Sequence, residues 1–177
     1  MTIQTTITAE QLLQMGDIGR CELIRGEIIK MAAAGAEHGH IAIDIGVAVT
    51  VHVKANRLGR VYAAETGFII ARNPDTVRAP DVAFVRKGRV PAKQLRGYFS
   101  GAPDLAIEVI SFNDRRSKVS DWLAAGAMPV WVVDPSKRTI SVHRANVPVI
   151  CFGIDDELRD EATLPGFVLT LSELFEQ

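Results

Sequence analysis

A chain of 177 residues and 19.3 kDa is long enough to bury a sizeable core as one domain spanning 1–177. Its composition, 47% hydrophobic and 23% charged, is that of a globular protein, and no apolar run reaches the roughly 18 residues of a membrane span, so a soluble chain is expected. A net charge of -1 excludes a global basic field, so any contact with nucleic acid must be local.

The opening residues, MTIQTTITAEQLLQMG, lack the basic start and apolar core of a signal peptide, which makes the cytoplasm the expected compartment. Thr8 ahead of AEQLLQ reads instead as the N-cap of a short helix ending near Met15. Cys21 to Met31 reads as two extended arms turning at Arg25-Gly26, because glycine permits the positive φ of a tight hairpin. From His38 to about Asn56, Ile41, Ile45, Ala48 and His52 recur at helical spacing, and length favours a helix over the β-branched bias of the segment. Arg60–Ala71, Asp81–Arg86, Asp104–Ser111, Pro129–Asp134 and Thr139–Arg144 read as strands separated by Pro, Gly, Asn and Asp. Between the third and fourth, DRRSKVSDWLAAG offers Asn113 or Asp114 as a cap, Val119, Trp122 and Leu123 as an apolar stripe, and Gly126 as a stop. Strand, helix, strand implies a right-handed crossover and a parallel pair. The tail, LPGFVLTLSELFEQ, reads as a strand and a closing helix. The expected class is α/β (α+β): a central mixed β-sheet flanked by helices, with an N-terminal hairpin.

The segment APDLAIEVIS poses a chemical problem. On a strand, Leu105, Ile107 and Val109 share one face and Ala106, Glu108 and Ile110 the other, so a carboxylate lies among apolar neighbours on a strand covered on both sides. Unpaired, it would cost several kcal/mol, on the order of the usual buried-charge penalty, or would protonate. Asp104 is on the same face but roughly 13 Å along the strand, too far to share an ion. Asp81 opens another strand after the same Ala-Pro, and a neighbouring strand is only about 4.8 Å away, so the two carboxylates could meet if the strands are adjacent. A bridging cation would relieve their repulsion, and all-oxygen ligands suit Mg²⁺ (or Mn²⁺) rather than zinc. A nearby cationic side chain would complete the site; Arg115, Arg116 and Lys118 are the candidates, and Lys118 is preferred as the amine that can lose its proton when desolvated. The competing reading of Asp81 is a cap at the start of its strand, since Asp104 follows the same Ala-Pro.

The order ELIRGEI, EHGHI, AETGFII, TVRAPDVAFV, GAPDLAIEVIS, KVSDWLAAGAMPVWVVDP and LPGFVLTLSELF resembles the Uma2 family of bacterial proteins, from about Thr8 to the C-terminus. The resemblance implies a restriction-endonuclease-like, PD-(D/E)XK fold and a metal-dependent nuclease hydrolysing phosphodiester bonds of nucleic acid, DNA being the expected polymer. It further implies that Asp81 and Glu108 are the acids that bind Mg²⁺ and that Lys118 is the lysine of the motif, moved from strand to helix. The chain departs from the family where Ser111-Phe112-Asn113 replaces Ser-Pro-Ser, where Trp122 replaces a common tyrosine, and at Pro129.

An additional acid often assists the metal in this fold, which makes Glu22 and Glu65 accessory candidates; Glu65, among Ala63, Ala64 and Gly67, looks the more buried, yet solvation on an edge strand is the favoured reading for it. His38 matches a family histidine and could contact substrate. Arg86, Lys87 and Arg89, in the acid-free stretch RKGRVPAKQLR, and Arg115 and Arg116 are candidate phosphate contacts, against the alternative of solvated loops. A homodimer is compatible with cutting two strands. The rival reading is a catalytically silent nucleic-acid or protein binding module that keeps the fold. Cys21 and Cys151 fit neither a disulfide framework nor a zinc site, and no P-loop, dinucleotide fingerprint or G-x-S-x-G elbow occurs.

Overall fold

Thr8 caps the first helix reciprocally: its hydroxyl accepts the Gln11 N–H at 3.2 Å while the Gln11 side chain accepts the Thr8 N–H at 2.8 Å. The computed structural model describes residues 6–93, 96–110 and 118–176. In chain order these form α1 (Ala9–Gln14), β1 (Cys21–Ile24), β2 (Glu27–Lys30), α2 (Ala36–Ala55), β3 (Gly59–Ala63), β4 (Phe68–Ala71), β5 (Thr76–Arg78), β6 (Val82–Arg86), β7 (Phe99–Ser100), β8 (Leu105–Val109), α3 (Val119–Ala124), β9 (Val130–Asp134), β10 (Thr139–His143), β11 (Ile150–Phe152), β12 (Glu157–Arg159), β13 (Val168–Thr170) and α4 (Leu171–Phe175). The β1–β2 turn is where expected, with Arg25 at φ 50° and Gly26 at φ 80°.

Two main sheets organise the molecule. One has six strands in the order β11-β10-β9-β8-β6-β3, and the other five, β2-β1-β5-β4-β7. Only β8 and β9 run parallel in the first, joined through α3 as the crossover reading requires. Alternation along the strands sorts the six-stranded sheet into two faces. Val82, Phe84, Leu105, Ile107, Trp131 and Val133 pack against Ile41, Ile45, Val49 and Val53 of α2. Ala83, Val85, Ala106 and Val130 pack on the other side against Trp122 of α3 and Phe68 of the second sheet. Gly46 lets α2 lie close to the sheet, because a Cβ there would come within 3.3 Å of Val82.

The segment Arg60–Ala71, expected as one strand, is two. β3 is the edge of the six-stranded sheet and β4 belongs to the other, and the chain crosses between them at residues 64–67. Glu65 stands at φ 68° in that crossing, and Gly67 is needed because a Cβ would press to 2.3 Å from the Tyr98 ring. The long helix starts at Ala36 rather than His38. The expected caps at Asn113 and Asp114 lie outside the described residues. Among the described residues, no helix is long and apolar enough to cross a membrane.

Candidate active site between the two sheets

β6 and β8 are antiparallel neighbours with Val82 opposite Ile107, and the same register carried one step beyond the start of β6 sets Asp81 opposite Glu108; Glu108 points to Trp122 of α3, while Asp81 meets His38 near the start of α2. The strand adjacency on which the expected meeting of the two carboxylates depends is present. Asp81 also caps β8, its Oδ2 accepting the Val109 N–H at 2.8 Å. Asp104 does the same at the other end of the pair, accepting the Arg86 N–H at 2.9 Å. Both aspartates thus perform the strand-capping role, and what separates them is their company.

Glu108 is 8% exposed. Its Oε1 accepts the Trp122 indole N–H at 2.7 Å, and its Oε2 lies 3.5 Å from Lys118 Nζ. Burial pushes its carboxyl up to about 7; the negative charges of Asp81 and Glu22 add to the rise, while the charge of Lys118 and the Trp122 hydrogen bond oppose it. Asp81 goes the other way. Burial would raise it, but the His38 hydrogen bond at 3.2 Å, the Val109 N–H and the charges of His38 and Lys118 hold it below the usual carboxylate range. His38 is correspondingly raised, chiefly by its hydrogen bond to Asp81, against its own partial burial.

Lys118 precedes α3 and is nearly enclosed. Burial alone would lower its pKa, yet Glu108, and Glu22 at 3.0 Å, outweigh burial and raise it. The expectation of an amine ready to lose its proton is therefore corrected: Lys118 is a held cation, suited to stabilising negative charge rather than to accepting a proton. Glu22 comes from the second sheet, where its neighbour Leu23 pairs with Val77 and it faces Arg78 across the strands. Arg78 donates to Glu22 at 2.8 Å and to Asp121 at 3.0 Å, and the Ala79 N–H meets the second Glu22 oxygen at 3.2 Å. Both Glu22 oxygens are thus engaged, which makes it a holder of Lys118 rather than a spare ligand.

Glu65 is solvated, in line with the favoured reading. Its side chain is 67% exposed in the crossing between the sheets, with Arg20 at 4.0 Å. Arg86, Lys87 and Arg89 are also displaced from the site, because they follow the far end of β6 while Asp81 precedes its start. There Asp104 pairs with Arg86 at 2.6 Å and with Arg89 at 3.1 Å. Arg115 and Arg116 lie outside the described residues. Sequence reasoning missed Arg20, Arg78 and the polar role of Trp122. Arg20 Nη2 stands 3.8 Å from Asp81, and this side chain lines both neighbouring cavities. One, of about 200 Å³, reaches Glu22, Arg78 and Lys118; the other, of about 640 Å³, reaches His38 and Asp81.

Among the described residues, no three His, Cys, Asp or Glu side chains form a metal-ligand cluster. The donor set of Asp81 and Glu108, two opposed carboxylates of which one is disfavoured as a bare anion, nevertheless fits Mg²⁺, which commonly takes one or two carboxylates and completes its shell with water and phosphate oxygens.

No curated protein matches the chain. A solved structure described as a "putative nuclease belonging to DUF820 from Anabaena variabilis ATCC 29413" superposes with a TM-score of 0.81 at 23% identity, over 96% of this chain and 97% of that one. That likeness shows a shared fold, a mixed α+β architecture of the expected class with a central mixed sheet flanked by helices. The model of the Uma2 family, described as "Putative restriction endonuclease", matches residues 9–172, from the first helix to the last, and the chain belongs to that family.

Proposed function

We propose that the chain is a metal-dependent nuclease that hydrolyses phosphodiester bonds of nucleic acid, with DNA as its polymer. The observation that carries this reading is the placement of Asp81 and Glu108 opposite one another on adjacent strands, beside a lysine kept protonated. The family description, a restriction endonuclease, supports the reaction class. Asp81 and Glu108 would hold Mg²⁺ or Mn²⁺, which when bound polarises a phosphoryl oxygen and activates water.

The chain's own groups divide the remaining work. Trp122 fixes one Glu108 oxygen and so leaves the other directed towards Lys118. Glu22, clamped by Arg78, keeps the Lys118 ammonium where charge develops on the phosphate. Arg20, which donates to the Ala32 carbonyl at 3.4 Å and lies 3.8 Å from Asp81 and 4.0 Å from Glu65, is the guanidinium lining both cavities that would turn to a phosphate. His38 holds Asp81 from the side of α2.

The test is incubation of supercoiled plasmid, linear duplex, single-stranded DNA and RNA with the wild-type chain and Mg²⁺ or Mn²⁺, with an EDTA control. Cation-dependent scission of DNA is expected. Binding to these polymers without scission under any cation would replace the nuclease by a binding module, and scission of RNA alone would change the polymer.

A further inference from the structure

α2 is apolar on two sides. Ile41, Ile45, Val49 and Val53 face the sheet, yet Ile43, Val47 and Val51 on the outward side are 60%, 51% and 63% exposed. A helix that is hydrophobic all round is normally covered on both faces, and an outward row of three branched side chains marks an interaction surface. Beside this row runs the cavity of about 640 Å³, walled by Ala42 and Gly46 of the helix and by Val61 and Tyr62 of the edge strand β3.

The charge pattern says what covers it. His40, Asp44, Val47, Val51 and Lys54 follow one another at spacings of four, three, four and three, the repeat of a helix–helix seam. The acid lies at the N-terminal end of this seam, the lysine at the C-terminal end, and two valines lie between. A row of that kind is complementary to itself run backwards. With a two-fold axis at the level of residue 49, each Val47 meets Val51 of the other copy, and each Asp44 meets Lys54. A nucleic-acid backbone would find no basic row here, and an unrelated partner would have no reason to match this palindrome.

We propose that this face of α2, with the groove along β3, is the interface of a two-fold homodimer in which the two helices pack antiparallel. Asp44 already contacts His40 within its own helix at 3.5 Å, and in the dimer Lys54 of the partner subunit comes to face it. Gly39 and Gly46 flank the row and admit the partner's side chains into the groove. The inner end of the groove reaches His38 and Asp81, so the partner helix lies beside the candidate active site of each copy. The inference does not depend on the nuclease reading, because its readout is mass.

The experiment is analytical ultracentrifugation of the full chain over a concentration series, with Val47→Glu, Val51→Glu, Asp44→Lys, Lys54→Asp and the double variant Asp44→Lys with Lys54→Asp. The wild type is expected to sediment as a dimer. Either glutamate variant should raise the dimer dissociation constant about tenfold or more, as loss of a central apolar contact does, with unchanged circular dichroism because both positions are exposed. Each single charge reversal should weaken the dimer, and the double reversal should restore it. A wild-type monomer at all concentrations would overturn the proposal and leave the face to another occupant. So would a dimer that neither glutamate disturbs, and failure of the double reversal to recover association would overturn the antiparallel pairing.

Discussion

Glu108 illustrates how far a single side chain can be read in advance. Alternation along its strand was enough to place a carboxylate on a covered face, and the need for a partner followed from the cost of burying charge. Its actual hydrogen-bond donor, the Trp122 indole, was not legible, because in a sequence a tryptophan in an apolar stripe signals packing and not the direction of its N–H. The solvation favoured for Glu65 holds, but for a different reason from an edge strand: its alanine and glycine neighbours mark a tight crossing at positive φ that turns its side chain to solvent. A pH test follows from the raised carboxyl of Glu108. Its ordinary value is 4.5 and its folded value about 7, so between these the unfolded chain releases the proton first and the metal-free fold loses stability as pH rises, by on the order of 3 kcal/mol. Asp81 is depressed, so its stabilisation is fully present across this window and is lost only as acid is added below the usual carboxylate range. Urea unfolding in EDTA should therefore show stability falling from pH 5 to pH 7 in the wild type and a shallower fall in Glu108→Gln; equal slopes would contradict the assignment.

Among the elements, the hairpin, the long helix, the parallel pair with its crossover helix and the closing strand and helix were readable, because each carries a turn residue or a sustained period. The break between β3 and β4 was not, since both halves have strand composition and only the steric demand of Tyr98 on Gly67 reveals the crossing. β5 and β7, with three and two residues, are too short for any periodicity and exist because neighbouring strands pair with them. β5 nonetheless carries Arg78, and the turn before it carries Asp75, which anchors α1 by accepting the buried Ala9 N–H at 2.8 Å and pairing with Arg72 at 2.8 Å. Asp75→Ala leaves that N–H without its acceptor and should cost about 1–3 kcal/mol in urea unfolding, whereas Asp75→Asn, which keeps an acceptor oxygen, should recover most of the loss. Equal losses in the two variants would show that the hydrogen bond to α1 is not what Asp75 supplies.

At the scale of the molecule, the site exists because two sheets meet. The six-stranded sheet brings Asp81 and Glu108 together, the five-stranded sheet contributes Glu22 and Arg78, and Lys118, ahead of α3, bridges them. Sequence reasoning named the first pair, on neighbouring strands of one sheet, and the lysine ahead of the crossover helix, but not the second sheet's Arg78, because contacts between sheets carry no local signal. A cation held by Asp81 and Glu108 should stabilise the whole fold by mass action, so Mn²⁺ in large excess should raise the thermal midpoint of the wild type and leave Asp81→Asn and Glu108→Gln nearly unmoved. An equal rise in all three would place the cation elsewhere. The most direct measurement is the single-turnover cleavage rate of supercoiled plasmid in Mg²⁺ for the wild type beside Asp81→Asn and Glu108→Gln, both nearly isosteric with the native side chains. The account predicts that each variant loses on the order of a hundredfold or more while remaining folded. Cleavage at the wild-type rate by both would contradict it.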